Sequence, residues 1–152
     1  MHYVGRYATS RAKLAGYLKR KLDERGWEDA GPPNIDDLVA KIAQLGYVDD
    51  RAFAVARAGA LARRGYGGRR IGAALAAAGI DEADRPAAEG EALAAALVLA
   101  RRKRLGPFAP EPHDRAGRQR AIAILLRGGH DLALARRIAA ASPGSTVDIV
   151  IT

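Results

Sequence analysis

Two adjacent carboxylates, Asp49 and Asp50, stand in residues 46–54, which read GYVDDRAFA. Paired acids could perform acid–base chemistry or bind a divalent cation, but both roles need converging ligands or a nucleophile, and the local sequence offers none. With Asp49 as the N-cap of a helix, Val48 and Phe53 take the N′ and N4 positions of a hydrophobic staple. Asp50 then lies in the first turn, where the helix dipole favours an anion. We therefore predict that the pair begins a helix, with a catalytic or metal site as the alternative.

The histidines and serines do not assemble a catalytic or metal site either. The three histidines, His2, His113 and His130, are far apart in the sequence, without an i,i+4 pair, and the chain has no cysteine that could complete a metal site. None of the serines stands in the Gly-x-Ser-x-Gly context of a nucleophile elbow; they are Ser10, Ser142 and Ser145. We predict a protein without catalytic residues, metal or cofactor.

Residues 64–71, RGYGGRRI, form a glycine-rich stretch that opens a predicted helix and superficially resembles a phosphate-binding loop. The stretch lacks the Gly-Lys-Ser/Thr ending of a P-loop, and no strand-like run precedes it, so a nucleotide site is not favoured. Helix starts do bind anions, and arginines bracket this one, so contact with a carboxylate cluster or a nucleic-acid phosphate stays open. A second basic cluster, residues 101–104, ends a helix, where positive charge serves either the helix dipole or a binding surface.

The charge of the whole chain indicates an anionic partner. The 152 residues include 25 Lys and Arg against 17 Asp and Glu, a formal net charge of +8. A polyanion or an acidic protein surface would bind such a chain, and a basic protein without such a partner is the alternative. The absence of cysteine fits a reducing compartment, and no apolar run is long enough for a signal peptide or a membrane span. We expect a cytoplasmic protein that does not bind membranes.

Helices are the elements that must position these residues. Alanine dominates the apolar residues and aromatic residues make up only 5%, a composition that suits closely packed helices better than sheets. Apolar residues recur at helical spacing along the chain, for example at Leu14, Leu18 and Leu22. We therefore predict an all-α protein with short helices. Capping chemistry predicts helix starts at Ser10, Asn34, Asp81, Asp114 and Asp131, and helix ends at Gly26, Gly46, Gly65, Gly79 and Gly129.

A repeat emerges when the helix ends are aligned on glycine. Apolar residues four positions apart precede Gly26, Gly79 and, more weakly, Gly129, and a further helix follows each glycine. The period of about fifty residues predicts three helical modules packed end to end. We interpret residues 106–112, GPFAPEP, as a stiff extended linker. The predicted modules are residues 1–66, 67–106 and 107–145, and a tail of strand-like composition follows at 146–152.

Taken together, these segments resemble the RecX family, the bacterial regulators of the RecA recombinase. The most specific part is residues 45–54, LGYVDDRAFA, followed at the family's spacing by residues 65–71, GYGGRRI, and then by Leu75 and Gly79. The resemblance extends over residues 3–141, with weaker support from the stretches at 10–14, 100–103 and 127–132. The features that depart from the family's pattern are His130, Asp131, Pro86, Gly90 and the tail.

The resemblance implies an elongated, curved all-α protein of three tandem three-helix modules, without enzymatic activity. It also implies the partner, which is RecA and its filament on single-stranded DNA; RecX proteins restrain its ATPase, strand-exchange and co-protease activities, and some also bind DNA. We expect a monomer that modulates recombination, DNA repair and the SOS response, with a helical protein acting directly on DNA as the alternative. The candidate contacts with RecA or DNA are Arg63, Arg64, Arg69, Arg70, Arg101, Arg102, Lys103 and Arg104.

Overall fold

A computed structural model describes residues 9–28, 31–87 and 91–146. Over these residues the chain forms seven α-helices and two single 3-10 turns. They contain no strand, which confirms the all-α prediction, and none of their helices is long and apolar enough to cross a membrane. The helices are α1 (Arg11–Arg25), α2 (Ile35–Gln44), α3 (Asp50–Arg63), α4 (Gly68–Ala77), α5 (Ala92–Lys103), α6 (Arg115–Arg127) and α7 (Leu132–Ala140), and the 3-10 turns are Glu82–Asp84 and Gly106–Phe108.

Side-chain caps and left-handed glycines set most helix ends where the sequence predicts them. Ser10, Asn34, Asp114 and Asp131 each accept a hydrogen bond from the backbone N–H three residues later. Each therefore satisfies one of the N–H groups that a helix start leaves without a partner. The five glycines predicted to end helices all have positive φ, between 74° and 93°.

Asp81 is the exception among the predicted helix starts. It precedes only the single 3-10 turn Glu82–Asp84, and its side chain makes no capping hydrogen bond. Pro86 explains the short turn, because a proline disfavours helical backbone at the residue before it. Arg85 is accordingly extended, with ψ of 137°. The expected helix after Asp81 therefore ends after one turn.

The chain divides into two compact units. Unit 1 comprises Met1–Arg57 and Ala74–Pro86, and unit 2 comprises Ala58–Ala73 and Ala87–Thr152. The dividing points fall inside α3 and α4, so each of these helices contributes residues to both units. The division into three modules stays a prediction, and residues 147–152 of the predicted tail lie outside the described residues.

Two long-range hydrogen bonds within unit 1 fix the start of α1. The hydroxyl of Ser10, which is fully buried, donates to the carbonyl oxygen of Ala78 at 2.8 Å. The N–H of Arg11 donates to Oδ1 of Asp50 at 2.8 Å. Asp50 lies in the first turn of its own helix, α3. Its carboxylate also accepts a hydrogen bond from one of the N–H groups that the start of α1 leaves without an intrahelical partner.

Asp49 has the structural role that its spacing predicts. Its Oδ1 accepts a hydrogen bond from Ala52 N–H at 3.0 Å and so caps α3. Val48, at the predicted N′ position, is buried in the core of unit 1 beside Leu14, and Phe53, at N4, is half-buried. Among the described residues no group of acids and histidines could hold a metal ion. The contacts of Asp49 are those of a helix start.

Replacing Asp49 with alanine should lower the free energy of unfolding by about 1 kcal/mol, because the cap of α3 is lost. Urea titration followed by circular dichroism measures this change. Asp49→Asn is the control, since asparagine also caps helices and should retain most of the stability. A variant Asp49→Ala that keeps full stability but loses binding to its partner would contradict the structural role.

The core of unit 2 is formed by α5, α6 and α7 together with the turn Gly106–Phe108. Leu99, Leu125 and Ile138 lie at its centre and are almost completely buried. Alanines occupy many of the remaining core positions, so the helices can approach closely. This core includes α5, whose C-terminal end carries the basic residues 101–104.

The interpretation of residues 106–112 as an extended linker is wrong. Their first half is the 3-10 turn Gly106–Phe108, and Pro107 and Ala109 are buried. The carbonyl oxygen of Pro107 accepts a hydrogen bond from Gly144 N–H at 2.9 Å. Proline and glycine mark a break in a helix, but they do not reveal whether the segment after the break packs against a core.

Candidate polyanion-binding surface

The positive charge of the chain is concentrated in one of its two units. Unit 2 contains fourteen Lys and Arg against six Asp and Glu, which is a net charge of +8. Unit 1 contains eleven of each kind, so its net charge is zero. All eight predicted contact residues belong to unit 2. The net charge of the whole protein therefore comes from the unit that carries them.

Two glycine-containing turns of unit 2 are joined through their backbones. Gly67 N–H donates to the carbonyl oxygen of Gly128 at 2.8 Å, and Arg69 N–H donates to that of Gly129 at 3.1 Å. A Cβ on Gly67 would lie 2.5 Å from the carbonyl carbon of Gly129, so this approach leaves no room for a side chain. We call these two turns the glycine clasp: residues 65–69 and 128–130.

The buried side chain of His130 makes a third hydrogen bond in the glycine clasp. Its Nε2 lies 2.8 Å from the carbonyl oxygen of Gly65, and because a carbonyl only accepts, Nε2 carries the proton and donates. The other ring nitrogen, Nδ1, has no hydrogen-bond partner among the described residues. With 2% of its surface exposed, His130 supports the turn after α3 from inside the unit.

The glycine clasp occupies backbone groups that a phosphate-binding loop would offer. The N–H groups of Gly67 and Arg69 donate across the clasp, and those of Arg70 and Ile71 donate to the carbonyl oxygen of Gly67 at 3.1 Å and 3.0 Å. These groups are not available to a ligand, which agrees with the absence of a P-loop ending in the sequence. Side chains are therefore the main groups that this surface can offer an anion.

Aromatic rings hold arginines in both basic clusters. The guanidinium carbons of Arg64 and Arg70 lie 5.4 Å and 4.2 Å from the centroid of the Tyr66 ring. Arg101 lies over Phe108 in the same way, at 4.5 Å. These distances are within the range of cation–π attraction. Tyr66 thus brings two positive charges to one ring.

The two basic clusters adjoin at the turn after α3. Arg102 Nη1 donates to the carbonyl oxygen of Arg64 at 3.1 Å. A Cβ on Gly65 would lie 2.8 Å from the backbone nitrogen of Leu99, so this turn packs directly against α5. Through this hydrogen bond the guanidinium group of Arg102, a residue of α5, reaches the C-terminal end of α3, where the helix dipole favours a cation. Its contact joins the two clusters.

The eight predicted contact residues are all exposed cations, and we call them the basic surface. None of them forms an ion pair with a carboxylate in the part of the chain that the structure describes. Guanidinium groups without such partners can bind phosphates or carboxylates in a bidentate geometry. The side chains of four of the eight form no hydrogen bond or ring contact with any described residue; they are Arg63, Arg69, Lys103 and Arg104.

The sequence predicts the arginines of the basic surface but misses the residues that arrange them. Tyr66 carries a signal that could have identified it, since it is an aromatic residue between arginines in a basic turn. His130 carries no such signal, because its partner Gly65 is 65 positions away in the sequence. Its role becomes visible only in the folded chain.

The sequence of this chain is similar to those of known regulatory proteins. It is 31% identical to the regulatory protein RecX of Myxococcus xanthus, over 94% of this chain and 83% of that protein. It is 36% identical to the regulatory proteins RecX of two Stenotrophomonas maltophilia strains, K279a and R551-3, over 75% of this chain and 69% of each relative. No protein-family model matches the chain.

Proposed function

The chain belongs to the RecX family of regulatory proteins, and we propose that it is a negative regulator of the RecA recombinase. It binds the RecA filament on single-stranded DNA and restrains the ATPase, strand-exchange and co-protease activities of RecA. It acts in the cytoplasm by stoichiometric binding and catalyses no reaction itself. Its effect is to modulate recombination, DNA repair and the SOS response.

The observation that carries this proposal is the concentration of the net charge in unit 2. A RecA filament contains a DNA strand whose phosphates follow one another at short intervals. A set of exposed arginines without carboxylate partners interacts with several phosphates at once and releases their counterions. The glycine clasp supports the proposal further, because it packs the backbone at Arg69 and Arg70 tightly against residues 128–130.

Within the basic surface we assign two kinds of role. The four cations without a described partner make direct contacts with the filament. Arg64 and Arg70, which lie over Tyr66, present a pair of charges at a defined spacing. Arg102 has mainly a positioning role, because one of its N–H groups already donates to the backbone.

Inhibition of RecA ATPase on single-stranded DNA tests the proposal. Addition of this protein at equimolar or higher concentration should slow ATP hydrolysis in proportion to the amount added, and strand exchange should slow in parallel. RecA with DNA but without the added protein is the reference. Undiminished hydrolysis in the presence of excess folded protein would overturn the proposed function.

A second candidate function is direct action on DNA, which the net charge of unit 2 also favours. Such a protein would bind DNA tightly, and its affinity would fall steeply with salt concentration. Added RecA would then leave the binding unchanged, and the binding would leave RecA unaffected. The ATPase assay and a DNA-binding assay at several salt concentrations separate the two functions.

A further inference from the structure

Arg104 is the one residue other than glycine with a left-handed backbone among the described residues. It ends α5 with φ of 54° and ψ of 52°. Glycines occupy the other eight left-handed positions of the described chain. An L-residue in this conformation places its Cβ too close to the following carbonyl oxygen, whereas glycine has no such penalty. Glycine would therefore be the more stable residue at position 104.

Backbone hydrogen bonds from Arg104 and Leu105 to the last carbonyls of α5 hold this turn, and glycine would allow the same bonds. No contact of the Arg104 side chain with the described residues compensates for the cost of an L-residue here. The side chain of Arg104 is exposed and forms no hydrogen bond, ion pair or ring contact with any described residue. The dipole of α5 does favour cations at this end, but Arg101, Arg102 and Lys103 already supply three in the last turn. A fourth adjacent positive charge adds repulsion. The guanidinium group is therefore free to contact a ligand.

The chemistry around Arg104 favours phosphates over an acidic protein surface. No acidic residue occurs between Glu91 and Glu111, so the cations at the end of α5 face no local competition. Protein interfaces are usually centred on large apolar or aromatic anchors. Among the described residues of unit 2, the exposed large hydrophobic side chains are only Val98 and Leu132, whereas unit 1 has five. A polar surface rich in arginine suits a nucleic-acid backbone.

We propose that Arg104 contacts a backbone phosphate of a single-stranded nucleic acid, and that arginine rather than glycine occupies this left-handed position because of that contact, at the expense of stability. The inference rests on the proposed assignment of the basic surface. It concerns nucleic acid alone, however, and it can be tested without RecA. Its failure is thus distinguishable from failure of the proposed function, which the ATPase assay decides separately.

The test compares thermal stability and DNA binding of the full chain with those of three variants. Binding of a fluorescein-labelled oligothymidylate is followed by fluorescence anisotropy at several NaCl concentrations, and the melting temperature is followed by circular dichroism. Arg104→Gly removes the charge and the backbone cost, whereas Arg104→Lys keeps both. Arg25→Ala is the matched control, because Arg25 is an exposed arginine in the last turn of α1, in unit 1.

We expect Arg104→Gly to melt higher by about 3 °C, because the backbone penalty disappears. We expect it to bind the oligonucleotide about fivefold more weakly at low salt, with a log–log salt slope that is smaller by about 0.7, the value for one contact with a single strand. Arg104→Lys should keep the slope and the melting temperature of the parent. Arg25→Ala should keep both the affinity and the slope.

Three results would overturn the inference. The first is a higher melting temperature of Arg104→Gly with unchanged affinity and slope, which would show that Arg104 contacts no phosphate. The second is an unchanged or lower melting temperature, which would show that the left-handed conformation has no cost. The third is the absence of oligonucleotide binding by the parent chain at low salt, which would show that phosphate is the wrong ligand.

Discussion

Replacing Gly129 with alanine should lower the free energy of unfolding by about 3 kcal/mol. Gly129 has φ of +93°, and a Cβ there would lie 2.5 Å from the backbone nitrogen of Arg70. Both penalties act together, since the backbone conformation disfavours any L side chain and the neighbouring atom is backbone that cannot rotate away. The melting temperature should fall by about 8 °C.

Gly72→Ala is the matched control for this prediction. Gly72 lies inside α4, and nothing is within 4 Å of a Cβ built on it. Alanine should therefore leave the stability unchanged or raise it by about 0.5–1 kcal/mol through its higher helix propensity. Differential scanning calorimetry of both variants measures the two melting temperatures. Equal melting temperatures for Gly129→Ala and Gly72→Ala would contradict the close backbone approach in the glycine clasp.

Reversing the charge of Arg69 and Arg70 together should weaken inhibition of RecA ATPase at least about tenfold at low salt. The double variant Arg69→Glu/Arg70→Glu removes two cations of the basic surface and places two carboxylates beside Arg64, which lies over the same Tyr66 ring as Arg70. Both residues are exposed, so the fold should be preserved. The concentration needed for half-maximal inhibition measures the effect, and far-UV circular dichroism measures helix content.

The control for charge reversal is Lys19→Glu/Arg20→Glu, an adjacent exposed pair on α1 in unit 1. Its change in net charge is identical, so a general effect of charge would weaken both double variants equally. We expect the control to inhibit RecA as well as the parent chain does. If Arg69→Glu/Arg70→Glu lost helix content, the two arginines would be supports of the fold rather than contacts.

Helix ends could be predicted from the sequence because they depend on local chemistry. A capping side chain accepts a hydrogen bond from an N–H three residues away, as Asp131 does from Leu134. A glycine adopts positive φ because it has no Cβ, whatever its neighbours in the fold are. The structural role of Asp49 followed from the same short-range spacing. The identity of the family was also accessible from a local motif around this residue.

The arrangement of the candidate site could not be predicted, because its contacts join residues that are far apart in the chain. Arg102 donates to the backbone of Arg64, 38 positions away, and His130 is bonded to Gly65 at a separation of 65. No spacing rule covers such pairs. The left-handed backbone of Arg104 escaped prediction for another reason, since left-handed positions are recognised in a sequence by their glycines.

Co-sedimentation with RecA filaments on single-stranded DNA tests most directly whether this chain binds the filament through the basic surface. We expect the parent chain and Lys19→Glu/Arg20→Glu to enter the pellet with the filaments at moderate salt. Arg69→Glu/Arg70→Glu should stay in the supernatant, and RecA without DNA should retain much less of the parent chain. A parent chain that stays in the supernatant, or two double variants that pellet equally, would contradict the proposed function of the basic surface.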